Sequence, residues 1–233
     1  MSMIKQTLVT LFIINGLAGS LLADARLKIA GERFEMGSIP PNTTVAHRFW
    51  FKSKGTDTVF IDEITTNCGC ELAPLKSKWI APGDSMQVEI CWNTDAYIGP
   101  TGTYPYIYYN GDRSEPARVF LTGTIVKFVD SLYPARITPY VFDLSEFRDI
   151  SYDSISFTIE NRSKRDLAIR FVSTTVDECE LSFPDSIPAG TTETGYIKVK
   201  EEYLDKEFKK SFTIEVEGVR TKRVTIPVRR KLY

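Results

Sequence analysis

Turn-forming residues recur at short intervals along this sequence, so only short strands fit between them. Beyond the first 25 residues, Pro, Gly and Asn recur about every 8–12 residues between runs of β-branched and aromatic residues, a spacing that is typical of a β-sandwich. Residues 44–52 and 86–93 alternate apolar and polar side chains with a period of two, as half-buried strands do. No stretch has a convincing helical period, so the sequence predicts an all-β fold.

The second half of the sequence repeats the first at an offset of about 108 residues. Cys70-Glu71-Leu72 matches Cys179-Glu180-Leu181, and Ile80-Ala81-Pro82-Gly83 matches Ile187-Pro188-Ala189-Gly190. A repeat of this length indicates two similar domains, and about 100 residues suit one immunoglobulin-like sandwich. We therefore predict two tandem immunoglobulin-like β-sandwiches, at residues 26–127 and 128–233, joined by a stiff junction.

The first 25 residues resemble a leader for export. Lys5 is the only charge before an apolar run at 8–22, and Ala23-Asp24-Ala25 has the small-x-small form of a cleavage site. The run falls short of the roughly 20 residues that span a bilayer. We predict a signal peptide at residues 1–25 and a protein exported to the periplasm or the exterior, with membrane contact only if the leader stays uncleaved.

The near-zero net charge and the absence of catalytic motifs argue against several classes of function. The formal net charge is −1, which gives no reason to expect nucleic acid as a partner. His47 is the one histidine, and it lies in a strand pattern with no nucleophile motif nearby. Gly-rich phosphate loops and metalloprotease motifs are absent from the sequence. We expect no enzymatic activity, no cofactor and no small-molecule substrate.

Cys68-Gly69-Cys70 holds two thiols one residue apart, after a strand pattern at 59–65. The pair has three interpretations. The two residues are structural, either as small buried residues or with one of them crosslinked within the sandwich; they form a strained and reducible disulfide; or they clamp a soft metal, Cu(I) or Zn(II). A hairpin of strands 44–52 and 57–65 would bring His47 near this loop. Cys68, Cys70 and His47 therefore form the candidate metal site, while His47 as a core-edge residue is the competing interpretation.

The first half resembles the bacterial family DUF1573. The resemblance covers about residues 32–126 and rests on these elements: Phe34-Glu35-Met36-Gly37, His47-Arg48-Phe49-Trp50-Phe51, Cys68-Gly69-Cys70-Glu71 and Ile80-Ala81-Pro82-Gly83. It implies an exported bacterial protein with an immunoglobulin-like sandwich similar to that of pilus chaperones, and it implies no activity. The second half resembles the companion domain that often follows, without the Cys-Gly-Cys element.

The remaining features leave two functions open. We expect Cys91 and Cys179 to be free thiols, and the Lys- and Arg-rich strand at 220–230 to be a sheet edge. Tyr104, Tyr106 and Tyr108 share one face that is either a contact surface or core. The favoured function is a cell-envelope scaffold that binds an unknown protein partner by strand addition. The alternative is soft-metal or thiol-redox chemistry at the cysteine pair.

Overall fold

A computed structural model describes residues 24–66, 70–72, 74–94, 96–127, 132–146, 152–218 and 221–233, with residues 70–72 described by backbone alone. Residues 24–127 are called the first half below, and residues 132–233 the second half. Strands make up most of both halves. Within the described residues, no helix has the length and apolar character needed to cross a bilayer. The all-β prediction is confirmed.

The first half contains two packed layers of strands. The strands are β1 (Ala25–Ala30), β2 (Arg33–Ile39), β3 (Thr44–Gly55), β4 (Val59–Thr65), β5 (Cys70–Leu72), β6 (Trp79–Ile80), β7 (Ser85–Asn93), β8 (Gly99–Thr103), β9 (Tyr106–Tyr109), β10 (Asp112–Arg118) and β11 (Phe120–Ile125). One sheet has the order β1-β3-β7-β5 and a second has the order β10-β9-β4-β6. This arrangement fits an immunoglobulin-like sandwich.

The period-2 pattern of the sequence correctly predicts which side chains enter the core. Phe49 and Phe51 of β3 are buried in the core of the first half, as are Val88 and Ile90 of β7, whereas Trp50 between the two phenylalanines is 48% exposed. Because alternate side chains of a strand point to opposite faces, one face of the β3–β7 pair supplies the apolar layer.

The second half repeats the strand order of the first. Its strands are β12 (Ala135–Thr138), β13 (Phe142–Asp143), β14 (Ser154–Asn161), β15 (Leu167–Thr174), β16 (Cys179–Ser182), β17 (Ser186–Ile187), β18 (Thr192–Val199), β19 (Phe208–Glu217) and β20 (Lys222–Arg230). The sheet β12-β14-β18-β16 corresponds to β1-β3-β7-β5, and a 3₁₀ turn at Glu201–Tyr203 precedes β19. A separate apolar cluster fills this half.

One sheet runs through both halves. Its order is β17-β15-β19-β20-β2-β11-β8, with β13 also paired to β20. The connection is parallel pairing of β2 with β20, where Ser38 lies opposite Val224. The Lys- and Arg-rich strand is therefore internal, and the prediction that it forms a sheet edge is wrong. Arg230 of this strand is buried and donates to the carbonyl oxygens of Leu144 and Leu204.

The expected hairpin of residues 44–52 and 57–65 is also wrong. β3 pairs with β1 and β7, whereas β4 pairs with β6 and β9 in the opposite sheet. The chain therefore crosses from one layer to the other after Gly55, as strands of a sandwich do. β1 begins at Ala25, the last residue assigned above to the leader, and residues 1–23 lie outside the described residues.

Candidate functional site

The candidate metal residues are only partly described. Cys68 lies outside the described residues, and Cys70 begins β5, where its backbone pairs with Trp92. His47 pairs with Ile90 on the other side of β7. Strand spacing and rise place the Cα atoms of His47 and Cys70 roughly 12 Å apart. Among the described residues, no three His, Cys, Asp or Glu side chains are grouped as metal ligands. The metal site therefore stays a prediction.

His47 lies at the contact between the two halves. Its Nδ1 is 2.8 Å from Ser173 Oγ of the second half, and its ring stacks on Phe34 with 3.7 Å between centroids. Burial, with a smaller contribution from the positive charge of Arg223, lowers the pKa of His47 to about 4. The imidazole is therefore neutral at pH 7. No local pattern identifies Ser173 as its partner, because the two residues come from different halves of the chain.

The backbone N–H and C=O groups of β3 next to His47 form hydrogen bonds with a side chain of the second half. Ser211 Oγ of β19 accepts a hydrogen bond from Ala46 N at 2.8 Å and donates one to Ala46 O at 2.9 Å. The strand β1 pairs only with residues 50–55 of β3, so the edge of β3 before residue 50 needs another partner. A buried serine with this double role was not identified from the sequence.

Charged side chains flank this contact. Arg48 forms salt bridges with Glu89 at 2.9 Å and with Asp177 of the second half at 2.6 Å. Lys210 of the second half reaches Glu89 at 2.8 Å and Glu178 at 3.5 Å. Hydrogen bonding from Arg48 lowers the pKa of Asp177. The junction is thus a network of ion pairs and hydrogen bonds beside the shared sheet.

The parallel β2–β20 connection depends on a glycine. Gly37 has φ +72°, and a Cβ built on it would lie 2.0 Å from the carbonyl oxygen of Arg223. Thr225 and Tyr140 donate hydrogen bonds of 2.6 Å to the carbonyl oxygens of Met36 and Ser38, respectively. The glycine allows β2 and β20 to approach closely, and the two hydrogen bonds stabilise that approach, which joins the two halves in one sheet.

The outer edge of β1 has no neighbouring strand among the described residues, although Ile29 as a whole is only 4% exposed. Thr56 N donates to Asp24 O at 2.9 Å, which makes this pair a hydrogen-bonded pair of the β1–β3 ladder. Because such pairs alternate along an antiparallel ladder, the backbone groups of Ala25, Leu27 and Ile29 point away from β3. Ala25 O accepts a hydrogen bond from Asn110 Nδ2. Within the described residues, no hydrogen bond satisfies the outward N–H and C=O groups of Leu27 and Ile29.

Tyr106 and Tyr108 of β9 and the preceding Tyr104 lie on an outer, partly exposed face. Tyr106 and Tyr108 alternate with Ile107, which is fully buried, and Tyr104 is 44% exposed. The guanidinium groups of Arg118 and Arg113 lie 4.8 Å and 5.2 Å from the ring centroids of Tyr106 and Tyr108. The aromatic cluster is therefore a surface covered in part by cation–π contacts, and not core.

The two described cysteine side chains are both buried. Cys91 lies on the β7 face opposite to Ile90, as its parity predicts, and its Sγ is 3.9 Å from Glu89 Oε1. Cys179 is a free thiol in β16. Burial, assisted by the negative charge of Glu178, raises the pKa of Cys179 to about 12, so this thiol is not a nucleophile at pH 7.

Comparison with known proteins agrees with the resemblance found in the sequence. Residues 27–125 match the family model of DUF1573, described as a protein of unknown function. This match confirms the family resemblance for the first half. A comparison with curated proteins gives no match.

Solved structures match at low identity. A protein of unknown function from Porphyromonas gingivalis W83 is 10% identical, with 87% of this chain and 99% of that chain covered and a TM-score of 0.35. The YadV chaperone is 10% identical, with coverage of 87% and 98% and a TM-score of 0.33. PapD-like domain 7 of human CEP192 is 10% identical, with coverage of 44% and 86% and a TM-score of 0.33.

Proposed function

We propose that this protein is an exported, non-catalytic scaffold of the bacterial cell envelope that binds a protein partner by adding a strand to β1. In this proposal a leader at residues 1–25 directs export, and two immunoglobulin-like domains, 26–127 and 128–233, form the scaffold. The observation that carries the proposal is the open edge of β1, where the outward backbone groups of Leu27 and Ile29 have no partner among the described residues. An extended peptide satisfies such groups with main-chain hydrogen bonds.

β1 is better suited to strand addition than β8 and β10, two other edge strands of the first half. Its register with β3 is continuous from the pair Ala25–Gly55 to the pair Ala30–Trp50, and it contains no proline. By contrast, β10 carries Pro116 and a register shift, and β8 carries Pro100, features that weaken pairing at an edge. Residues 26–30 of this edge remain in the first proposed domain, and a regular edge of that length is long enough for a peptide to pair along it.

The side chains around His47 favour a non-catalytic role. Nδ1 of the imidazole is engaged with Ser173, and the ring is packed between Phe34 and Phe49. A general base needs a pKa near the working pH, whereas burial and Arg223 lower the pKa of His47 to about 4. The histidine serves the junction between the halves in this proposal.

Leu27→Pro tests the proposal, with Leu27→Ala as its matched control. Both variants lose the leucine side chain, but only proline lacks the outward N–H and blocks a strand that pairs there. We expect wild type and Leu27→Ala to retain the same envelope protein in affinity capture, and Leu27→Pro to lose it. Hydrogen exchange of the Leu27 and Ile29 amides should slow when that partner binds. Equal capture by the two variants, with no change in exchange, would refute strand addition at β1.

A further inference from the structure

The outer face of β1 and β3 carries a ladder of positive charges. In the register of this antiparallel pair, Arg26 lies opposite Lys54, and Lys28 lies opposite Lys52. All four side chains are exposed, and we call them the cationic ladder. Like charges directly across a strand pair destabilise a sheet, so two consecutive like-charged pairs do not serve the stability of the fold.

Within the described part of the chain, one salt bridge reaches the cationic ladder. Arg26 forms a salt bridge with Asp24 at 2.7 Å. Among the described residues, Lys28, Lys52 and Lys54 form no salt bridge and no side-chain hydrogen bond. On the next strand, β7, the residue opposite Lys52 is the neutral Ser85. The positive charge therefore faces solvent beside the open edge of β1.

We propose that the strand received by β1 is an extended protein segment in which acidic residues alternate with apolar residues. The proposal rests on the proposed function, because it assumes that a partner pairs along β1. Neighbouring strands lie about 4.8 Å apart, so every second side chain of the added strand becomes a direct neighbour of Arg26 and Lys28. Carboxylates at these positions would pair with the guanidinium and ammonium groups of the ladder.

The core-facing side of β1 explains why apolar residues alternate with acidic residues in the proposed partner strand. Ile29 is buried and Leu27 packs against the core of the first half, so both side chains point into the sandwich. A side chain of the partner next to them extends the same apolar layer. Acidic residues on one face and apolar residues on the other are thus the pattern that complements both faces of β1.

The test measures binding of synthetic peptides to the full protein by fluorescence anisotropy. The probes are a peptide of alternating Val and Glu, a peptide of alternating Val and Ser, and a peptide of alternating Val and Lys. We expect the Val–Glu peptide to bind best and to weaken with added salt, because exposed ion pairs are screened. Leu27→Pro should abolish its binding and Leu27→Ala should retain it, which ties the binding to the β1 edge.

The charge of the ladder is tested by the double variant Arg26→Ala/Lys28→Ala, which removes the two cations of β1 that lie beside an added strand. Two exposed ion pairs correspond to about a threefold to tenfold loss of affinity for the Val–Glu peptide, with affinity for the Val–Ser peptide unchanged. The matched control is Lys164→Ala/Arg165→Ala, which removes two exposed cations of the second half and should bind as wild type does. The urea midpoint of the ladder variant should equal or exceed that of wild type, since like charges are removed.

Three results would overturn the proposal. Equal affinity for the Val–Glu and Val–Ser peptides would remove the preference for acidic partners while leaving strand addition intact. Equal loss of affinity in the ladder and control variants would assign the effect to net charge. Binding of the ladder to vesicles of anionic phosphatidylglycerol, with no binding of any peptide, would make the ladder a membrane contact. Failure of the proposed function itself has a different signature, namely equal peptide binding by Leu27→Pro and Leu27→Ala.

Discussion

The environment of His47 shows how one residue serves the assembly of the two halves. From the sequence, this histidine is a candidate metal ligand beside Cys68 and Cys70, or a core-edge residue. In the structure, its ring stacks on Phe34, and its Nδ1 is hydrogen-bonded to the hydroxyl of Ser173 in the second half. A neutral imidazole suits this setting, because burial and Arg223 disfavour its protonated form.

The lowered pKa of His47 predicts a dependence of stability on pH. The usual pKa of 6.5 applies to the unfolded chain, and the folded value is about 4. Between these values the unfolded state binds a proton that the folded state does not bind, so the free energy of unfolding falls as the pH is lowered from 6.5 to 4. The contribution amounts to ~3 kcal/mol, fully present above pH 6.5.

Urea denaturation at pH 7 and pH 4.5, on wild type and His47→Gln, measures this contribution. We expect the variant to lose less stability between the two pH values than wild type does. Carboxylates that titrate at low pH, such as Asp177, act in both proteins and cancel in the comparison. An identical loss of stability in wild type and the variant would contradict the prediction.

The soft-metal site of Cys68, Cys70 and His47 is a second prediction at the residue scale. We expect that, if the thiolates clamp a metal, titration of the purified protein with Cu(I) or Zn(II) shows affinity tighter than micromolar. Cys70→Ser should weaken that affinity, since one of two thiolate ligands is removed. His47→Gln separates a site of three ligands from a site of two, because only the former weakens in this variant. Unchanged binding in Cys70→Ser would end the metal hypothesis.

Among the elements, β2 depends most on a partner that is remote in the sequence. Gly37 lets β2 approach β20, and Thr225 and Tyr140 satisfy carbonyl oxygens of β2. The sequence predicts the strand, since residues 32–37 have β character, but not its parallel pairing with residues near the C-terminus. Pairing across such a separation depends on the complete surfaces of both halves, which no local pattern contains.

Gly37→Ala tests this connection, and Gly111→Ala is its control. Both glycines have φ near +72°, but a Cβ at Gly111 meets no atom within 4 Å, whereas a Cβ at Gly37 lies 2.0 Å from Arg223 O. Gly111→Ala should cost about 1 kcal/mol of backbone strain. Gly37→Ala should cost about 2–4 kcal/mol, because β20 must also move away. The measurement is the free energy of unfolding in urea, and equal costs would show that the close approach is unimportant.

On the scale of the whole molecule, the shared sheet and the ion-pair network couple the two halves to each other. The strand β19 illustrates the coupling. Phe212 and Ile214 fill the core of the second half, whereas Ser211 on the opposite face bonds to Ala46 of the first half. Both faces of this strand are buried over residues 211–216.

Coupled unfolding is the prediction at this scale. The three tryptophans, Trp50, Trp79 and Trp92, all lie in the first half, so their fluorescence reports on that half, while far-UV circular dichroism reports strands of both halves. We expect the two signals to coincide during urea denaturation of wild type and to separate in Gly37→Ala, where the connection is weakened. Separate transitions in wild type would contradict the coupling.

The sequence by itself determined the all-strand fold and the faces of β3 and β7, because period-2 alternation and turn residues act locally. The tertiary structure alone decided that β20 is internal, that Ser173 contacts His47, and that β1 has β3 as its one neighbouring strand within the described part of the chain. These features depend on which strands become neighbours. Neighbours are selected by the fit of entire surfaces, whose residues lie far apart along the chain.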